Sequence, residues 1–256
     1  MATKAKPSTA VAVKASSNIV SVQEMMRQQL VAQAGKTSSA GGNAIKDSSG
    51  AFAIPNGMQW QDPLKVVILD FVTQHVLYEN DYKQGEISPI ICAAVGDNIA
   101  DLAPYATIKD SQCDTCTGCW ANEFKSAKMG EGKACKQVRN MAVLVQDDKG
   151  NIDPNGPIYL LPTTPATNKA FDPYVKSVGA VFQMPPIGVV TTLIIVQQGK
   201  NSVLSFNDPS MNEDLSACVG RQAEARAMLI EPVNVVPATP KAPVPTRGKP
   251  AVAARR

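Results

Sequence analysis

Short runs of apolar residues between positions 64 and 206 predict a series of β-strands. The longest run, 64–78, is rich in Val, Ile, Leu and Phe, which suits one long or bent strand. Further strands are predicted at 88–95, 141–146, 157–161, 189–197 and 203–206. The last two are expected to form a hairpin. Because no regular crossover helices separate these strands, an antiparallel sheet or small barrel is favoured over a doubly wound α/β fold.

Helical spacing of apolar residues occurs in three segments, 21–34, 169–177 and 212–229. The second segment contains Pro173, which we expect to keep that helix short. The third begins at Asn212, a residue type that often caps a helix N-terminus.

The composition divides the chain into an arm, a folded domain and a tail. Residues 1–50 predict a flexible arm that holds the helix at about 21–34 and ends in a Gly/Ser-rich stretch. Residues 51–232 carry the strands and should form the domain. Residues 233–256 are rich in Pro, Ala and basic residues and predict a disordered tail.

The net charge of +3 conceals an acidic body between basic ends. All 22 acidic residues fall within 18–236, together with only 17 of the 25 basic ones. A broadly basic surface for duplex DNA is therefore excluded, and a polyanion site must be a local patch or the tails.

The sequence contains no apolar run near the ~18 residues that a membrane span needs, and its N-terminus lacks the apolar core of a secretory signal. These features favour the cytoplasm. In a reducing compartment, six cysteines point to metal or redox chemistry rather than to disulfides.

The spacing of four cysteines predicts a zinc site. Cys113, Cys116 and Cys119 are separated by two residues each, and Cys135 follows fifteen residues later. Two-residue spacers let thiolates converge from a tight turn, and a distant cysteine completes the tetrahedron that a structural zinc ion requires. The metal would stabilise the polar, glycine-containing loop that carries these cysteines. Residues 112–138 are called the knuckle below.

Other interpretations of these cysteines remain open. Cys92, in the strand at 88–95, could replace Cys113 as the fourth ligand. The same spacing also fits an iron–sulfur cluster, and the cysteines could simply be free thiols in a loop. Cys218 is expected to be a small buried hydrophobic residue in the last helix.

The knuckle combines cations with aromatic rings, as single-strand binding requires. Between positions 125 and 139 there are five basic residues and one acidic residue. Lysine and arginine follow the phosphates, while aromatic rings stack on bases without demanding a sequence. The candidate nucleic-acid-binding residues are Trp120, Phe124, Lys125, Lys128, Lys133, Lys136 and Arg139. A solvated basic loop with Trp120 packed on the knuckle is the alternative.

Catalytic chemistry has little support in the sequence. His75 is the only histidine and lies in the apolar run 64–78, where an ordinary strand residue is expected. Because that position is a poor one for a catalyst, a Ser–His–Asp type of arrangement would need a second histidine or a lysine in its place. The chain is therefore predicted not to be an enzyme.

Two motifs resemble a group of tailed-phage proteins over about residues 50–232. The most specific piece is C-x2-C-x2-N-x-F-x-S followed by G-K-A-C-K, matched here by Cys116, Cys119, Asn122, Phe124, Ser126, Gly132, Lys133, Ala134, Cys135 and Lys136. The group is that of zinc-containing single-stranded-DNA-binding replication proteins. The match covers three of the four predicted ligands and leaves Cys113 without support.

The resemblance implies a mainly β domain, a partly open oligonucleotide-binding (OB)-like β-barrel with the knuckle inserted between strands. It also implies one structural zinc ion and sequence-tolerant binding of single-stranded DNA in phage replication or recombination, with replication proteins as further partners. One departure is the basic tail, because such proteins often end in an acidic tail that recruits partners. The alternative is a virion structural or scaffold protein whose basic tail contacts the genome.

Overall fold

The computed structural model describes residues 44–48, 50–55, 59–80, 88–108, 110–128, 130–147, 149–199 and 201–231. The helix predicted at 21–34 and the tail at 233–256 lie outside these residues. Within the described ranges, no helix combines the length and the apolar character needed to cross a membrane.

The described residues form nine strands and three α-helices. The strands are β1 (Lys46–Ser48), β2 (Ala51–Ala53), β3 (Gln59–Gln61), β4 (Leu64–Tyr78), β5 (Ile90–Gly96), β6 (Lys136–Val145), β7 (Tyr159–Pro162), β8 (Val189–Gln198) and β9 (Asn201–Met211). The helices are α1 (Pro165–Phe182), α2 (Leu215–Gly220) and α3 (Gln222–Ile230). The prediction of a mainly β fold with a few helices is confirmed.

Strand β4 is the centre of a six-stranded antiparallel sheet with the order β7-β6-β4-β8-β9, in which β5 also pairs with β4. One edge of β4 pairs with β6, from Val66 opposite Val145 to Val76 opposite Lys136. Its other edge is shared, because β8 pairs with the first residues of β4 and β5 pairs with the last ones. Among the described strands, β7 and β9 do not pair with each other, so the sheet does not close into a ring.

Both faces of the sheet are covered, which explains why β4 is a nearly continuous apolar run rather than an alternating one. Side chains of Leu64, Val66 and Ile68 pack in one core cluster with Phe171 of α1. Val67, Leu69 and Val72 pack in a second cluster with Leu229 and Ala225 of α3. The register of β4 shifts between Ile68 and Asp70, so Phe71 returns to the α1 side.

Helix α1 is 18 residues long, so the prediction of a short helix at 169–177 was wrong in its length. The helix begins at Pro165, where a proline fits the first turn, and the side chain of Thr164 accepts a hydrogen bond from the amide of Thr167. Pro173 lies inside the helix. Burial of Phe171, Tyr174 and Val178 on one face outweighs the backbone hydrogen bond that Pro173 cannot donate.

The last helical region divides into α2 and α3 at Arg221, and its cap differs from the prediction. Asp214 occupies the N-cap position of α2, because the side chain of Asn212 is engaged elsewhere. The side-chain NH₂ group of Asn212 donates to the backbone carbonyl of Ile187, and the side-chain oxygen of Asn212 accepts from the backbone amide of Asp214. Cys218 is fully buried in the second cluster, which confirms its predicted role as a small core residue.

An ion-pair cluster joins α3 to the sheet. The guanidinium of Arg226 donates to both carboxylate oxygens of Asp97, at 2.5 and 2.6 Å, just beyond the end of β5. It also lies 3.5 Å from the carboxylate of Asp70 on β4. This bidentate geometry fixes the orientation of the helix against the strand ends.

The small sheet formed by β1, β2 and β3 was not predicted, because its three-residue strands are too short to show a pattern. It is antiparallel throughout, with Phe52 opposite Trp60. Ile45, Phe52 and Ile54 bury their side chains in the core cluster beside α1. Contacts distant in the sequence, rather than local propensity, therefore stabilise this sheet.

Replacement of Phe171 by alanine should lower the free energy of unfolding by about 3–5 kcal/mol. The ring is fully buried and lies 5.0 Å from the rings of both Phe71 and Phe206, so its loss leaves a cavity at the centre of the core. Urea unfolding followed by circular dichroism measures the change. The matched control is Val181→Ala on the same helix, where a 70% exposed side chain should give less than about 0.5 kcal/mol. Equal effects of the two substitutions would contradict this description of the core.

Candidate metal centre and nucleic-acid interface

Four of the six cysteines lie on the loop that connects β5 to β6, residues 97–135. The loop is anchored by backbone hydrogen bonds from Cys116 to the carbonyl of Leu102 and from Cys135 to that of Ala121, both 2.8 Å long. Gly118 has a φ of 76°, a conformation that favours glycine and turns the chain between Cys116 and Cys119. The two cysteines are buried as a result.

Five thiols converge on one cavity of about 20 Å³, enough for a single water-sized particle. Cys113, Cys116, Cys119 and Cys135 reach it from the loop, and Cys92 reaches it from β5. The four cysteines predicted as ligands are therefore brought together, and so is Cys92, the alternative ligand. All six cysteines of the chain are free thiols.

The floor of this cavity is the last part of the β4–β5 ladder. Leu77 lies opposite Cys92, and His75 lies opposite Ala94. Leu77 packs with Cys119 and Cys135, while Cys116 packs on Ala94. Because Ala94 is small, it leaves room beside His75 for the loop to approach the sheet.

Burial controls the acidity of these thiols. Together with the neighbouring thiols, burial raises the pKa of Cys135 to about 12 and that of Cys116 to about 11. It also raises the pKa of Cys92 and of Cys119. Lys133 acts in the opposite direction on Cys135, but burial outweighs it.

The donor set fits zinc in type and number, since structural zinc sites use four thiolates or imidazoles. A divalent cation would supply the charge that these thiols lack, and binding would release their protons. In the described part of the chain, no group of three or more His, Cys, Asp or Glu side chains is already arranged to hold a metal ion. The match therefore lies in the chemistry of the cavity rather than in a preformed coordination geometry.

Several motif residues stabilise the knuckle internally. The side-chain amide of Asn122 donates to the carbonyl of Cys116 at 3.1 Å, and its oxygen accepts from the ammonium of Lys133, also at 3.1 Å. The hydroxyl of Ser126 accepts from the amide of Ala134 at 2.9 Å. These bonds explain the N-x-F-x-S and G-K-A-C-K patterns as turn chemistry around the thiols.

Two aromatic side chains of the knuckle are exposed. The side chain of Phe124 is 76% exposed and that of Trp120 is 50% exposed. The ammonium of Lys133 lies 5.1 Å from the centre of the Phe124 ring, in a cation–π arrangement.

The four lysines of the predicted interface differ in their exposure and in their contacts. Lys125, Lys128 and Lys136 are exposed, and Lys133 is half-buried. Lys125 forms a weak surface ion pair with Glu131 at 3.7 Å. Lys128 donates to the carbonyl of Glu79 at 3.3 Å.

Arg139 lies apart from this group. Its side chain is 8% exposed and faces α1, where the guanidinium donates to the hydroxyl of Thr73 and to the carboxylate of Asp172, the latter at 3.0 Å. Strand β6 begins at Lys136, so Arg139, its fourth residue, lies inside the sheet. The charge of Arg139 therefore serves the contact between β6 and α1.

His75 differs most from its expected role. Its side chain is 2% exposed and lines the thiol cavity, and neither ring nitrogen has a hydrogen bond of good geometry among the described residues. Burial lowers the pKa of the imidazole, as do the nearby cations Lys133 and Arg139, while the side chain of Gln137, which is near the ring but outside the geometry of a hydrogen bond, raises it. Only the pairing of β4 with β5 could have placed this histidine beside the cysteines.

Comparison of the chain with protein-family models, with curated proteins and with solved structures finds no match.

In reduced, metal-free protein, Cys116 and Cys135 should react slowly with iodoacetamide at pH 8. A pKa of about 11 in place of 9.0 leaves roughly 100-fold less thiolate for Cys116, and a pKa of about 12 leaves still less for Cys135. Mass spectrometry of peptides from timed reactions measures each rate. The same cysteines in urea-unfolded protein are the reference. Equal rates in folded and unfolded protein would contradict the burial of these thiols.

Proposed function

We propose that this protein binds single-stranded DNA without strong sequence preference, as a non-enzymatic, zinc-stabilised protein of phage-type replication or recombination. One observation carries the proposal: the knuckle carries two exposed aromatic rings, Trp120 and Phe124, together with four lysines, and its four cysteines line one cavity with Cys92 of the sheet. Stacking on such rings contributes about 1–3 kcal/mol per base and tolerates any base.

The distribution of charge supports a local interface. The region 18–236 is acidic overall and repels a polyanion at long range. At physiological salt the Debye length is ~8 Å, so a strand on the knuckle interacts mainly with the nearest cations. Lys125, Lys128 and Lys136 are exposed there, whereas Arg139 is engaged with Asp172 and is not among the cations on which the proposal rests.

The proposed role of zinc is structural. Cys116, Cys119 and Cys135 would hold it together with either Cys113 or Cys92, since both of these line the same cavity. The ion would neutralise the thiolates and contribute binding free energy to a loop with few apolar side chains. Free thiols throughout the chain suit a reducing cytoplasm, where such a site stays loaded.

A partly open OB-like barrel is the corresponding proposal for the domain. In its support, β4 is 15 residues long, shifts register along its length and pairs with three strands. Such a strand can serve two parts of a strongly curved sheet. The knuckle joins β5 to β6 at the end of β4, so nucleotides bound there would lie beside the strands.

Purified protein should contain one zinc ion per chain, and its removal should make hydrogen exchange in the knuckle faster while the sheet remains protected. The thiols then keep their desolvation cost without the cation that offsets it. Elemental analysis measures the metal, and hydrogen exchange before and after chelation compares residues 112–138 with β4. Iron in place of zinc, or an exchange pattern that chelation leaves unchanged, would contradict the prediction.

Serine substitutions at two positions separate the possible fourth ligands. Cys92→Ser and Cys113→Ser each remove one thiol from the same cavity. The substitution that removes a ligand should release zinc to a chelator far more readily, while the other should behave like the wild type. Cys218→Ser, in the opposite core cluster, is the matched control for loss of a buried thiol.

Charge reversal of Lys125 and Lys128 should weaken binding to oligo-dT and reduce its dependence on salt. Each lost phosphate contact lowers the slope of log K against log salt by about 0.7 for single strands. Fluorescence titration at several salt concentrations gives the slope. The control is Lys169→Glu with Lys176→Glu on α1, which changes the net charge equally at two exposed positions. Equal weakening in both double variants would indicate a general charge effect instead of an interface.

Replacement of Phe124 by alanine should cost about 1–3 kcal/mol of binding free energy if the ring stacks on a base. Because the ring is 76% exposed, the midpoint of thermal unfolding should change little. Oligo-dT titration and a thermal melt of the same sample separate the two effects. No DNA binding by the wild type at moderate salt would overturn the proposal, and the virion scaffold would then be the better account of the basic ends.

A further inference from the structure

His75 is a buried polar side chain with no hydrogen bond of good geometry among the described residues. Both ring nitrogens are inaccessible to solvent, and the side chain of Gln137, opposite His75 on β6, is near enough to affect the imidazole pKa but does not meet the geometry of a hydrogen bond. A neutral imidazole carries one N–H donor and one acceptor, and leaving such a donor unpaired in an apolar site costs about 1–3 kcal/mol. Among native structures, an orphan of this kind points to a group that completes it.

The position of the His75 ring indicates which cysteine could accept a hydrogen bond from it. His75 lies opposite Ala94 in the β4–β5 ladder, and Cys116 belongs to the same buried cluster as Ala94. The imidazole and the Cys116 side chain also line the same cavity.

The packing clusters distinguish one thiol of the cavity from the others. Cys92, Cys113, Cys119 and Cys135 belong to the cluster that contains Leu77, whereas Cys116 belongs to the cluster of Ala94 and Leu102. Because Ala94 lies opposite His75, Cys116 is the thiol that shares this level of the sheet with the imidazole.

We propose that the imidazole N–H of His75 donates a hydrogen bond to the sulfur of Cys116 when the cavity holds its metal ion. His75 is then a positioning residue, which orients one ligand and offsets part of the negative charge of a thiolate cluster. Outer-shell donors of this kind typically change metal affinity by 10–100-fold. The inference rests on the zinc site of the proposed function and adds an anchor in β4 to it.

Nuclear magnetic resonance of the wild-type protein loaded with ¹¹³Cd tests the bond without any substitution. The expected result is a neutral His75 whose single N–H proton is protected from exchange and coupled to the metal through sulfur. A direct coupling between ¹¹³Cd and a ring nitrogen would overturn the proposal, because His75 would be a ligand. A ring proton that exchanges freely would overturn it as well.

Variants test the same bond through metal affinity, measured by competition with a chelator. His75→Leu should weaken zinc binding by 10–100-fold and shift the thiolate charge-transfer bands of the Co²⁺ form. His75→Gln keeps an N–H donor and should restore most of the affinity. The control is Gln74→Leu, since Gln74 is the neighbouring buried residue, whose oxygen accepts from the side chain of Asn140 at 2.7 Å.

The outcomes separate this inference from the zinc proposal. Unchanged affinity and spectrum in His75→Leu, or equal losses in all three variants, would overturn the role of His75 while leaving the metal site in place. Wild-type protein that binds neither Zn²⁺ nor Cd²⁺ would overturn the zinc site and this inference together. If His75→Leu does not fold, the ¹¹³Cd measurement on the wild type decides alone.

Discussion

The pairing of β4 with three other strands is the constraint on which the rest of the structure depends. β6 covers one edge of β4 for most of its length, while β8 and β5 divide the other edge between them. Since both faces are also covered, polar residues inside the strand need partners from neighbouring elements. The side chain of Thr73 accepts a hydrogen bond from Arg139, and that of Gln74 accepts one from Asn140. His75 has no hydrogen-bond partner of good geometry among the described residues.

The same face of β4 changes its chemistry along its length. Near its start this face packs on the aromatic core beneath α1, and Thr73 follows at the contact with Arg139 and Asp172. Beyond it, His75 and Leu77 meet the thiol cavity. Core, ion pair and candidate metal centre thus form one continuous layer, so the knuckle is supported by the sheet rather than attached to it by a flexible connection.

The local sequence pattern was sufficient to predict those strands whose residues form a clear apolar run. The apolar run at 64–78 coincides with β4, and the hairpin of β8 and β9 lies where the apolar runs predicted it, although β9 extends to Met211. The pattern failed where distant contacts decide, as in the three short strands β1, β2 and β3 and in the continuation of α1 through Pro173. Spacing alone grouped four cysteines, but whether Cys92 and His75 lie beside them depends on strand pairing, which no single segment encodes. The exposure of Phe124 and the burial of Arg139 are set by tertiary packing in the same way.

The walls of the thiol cavity come from separate parts of the chain, and this affects the order of folding. One wall belongs to β4, one to β5 and the others to a loop of about forty residues, so closing the loop alone would cost chain entropy without forming the cavity. The sheet must be paired across long sequence separations before the thiols have a common centre, which makes their assembly a late event. A nascent chain therefore offers scattered thiols to its surroundings, and only a chain that has completed its sheet offers a chelating pocket.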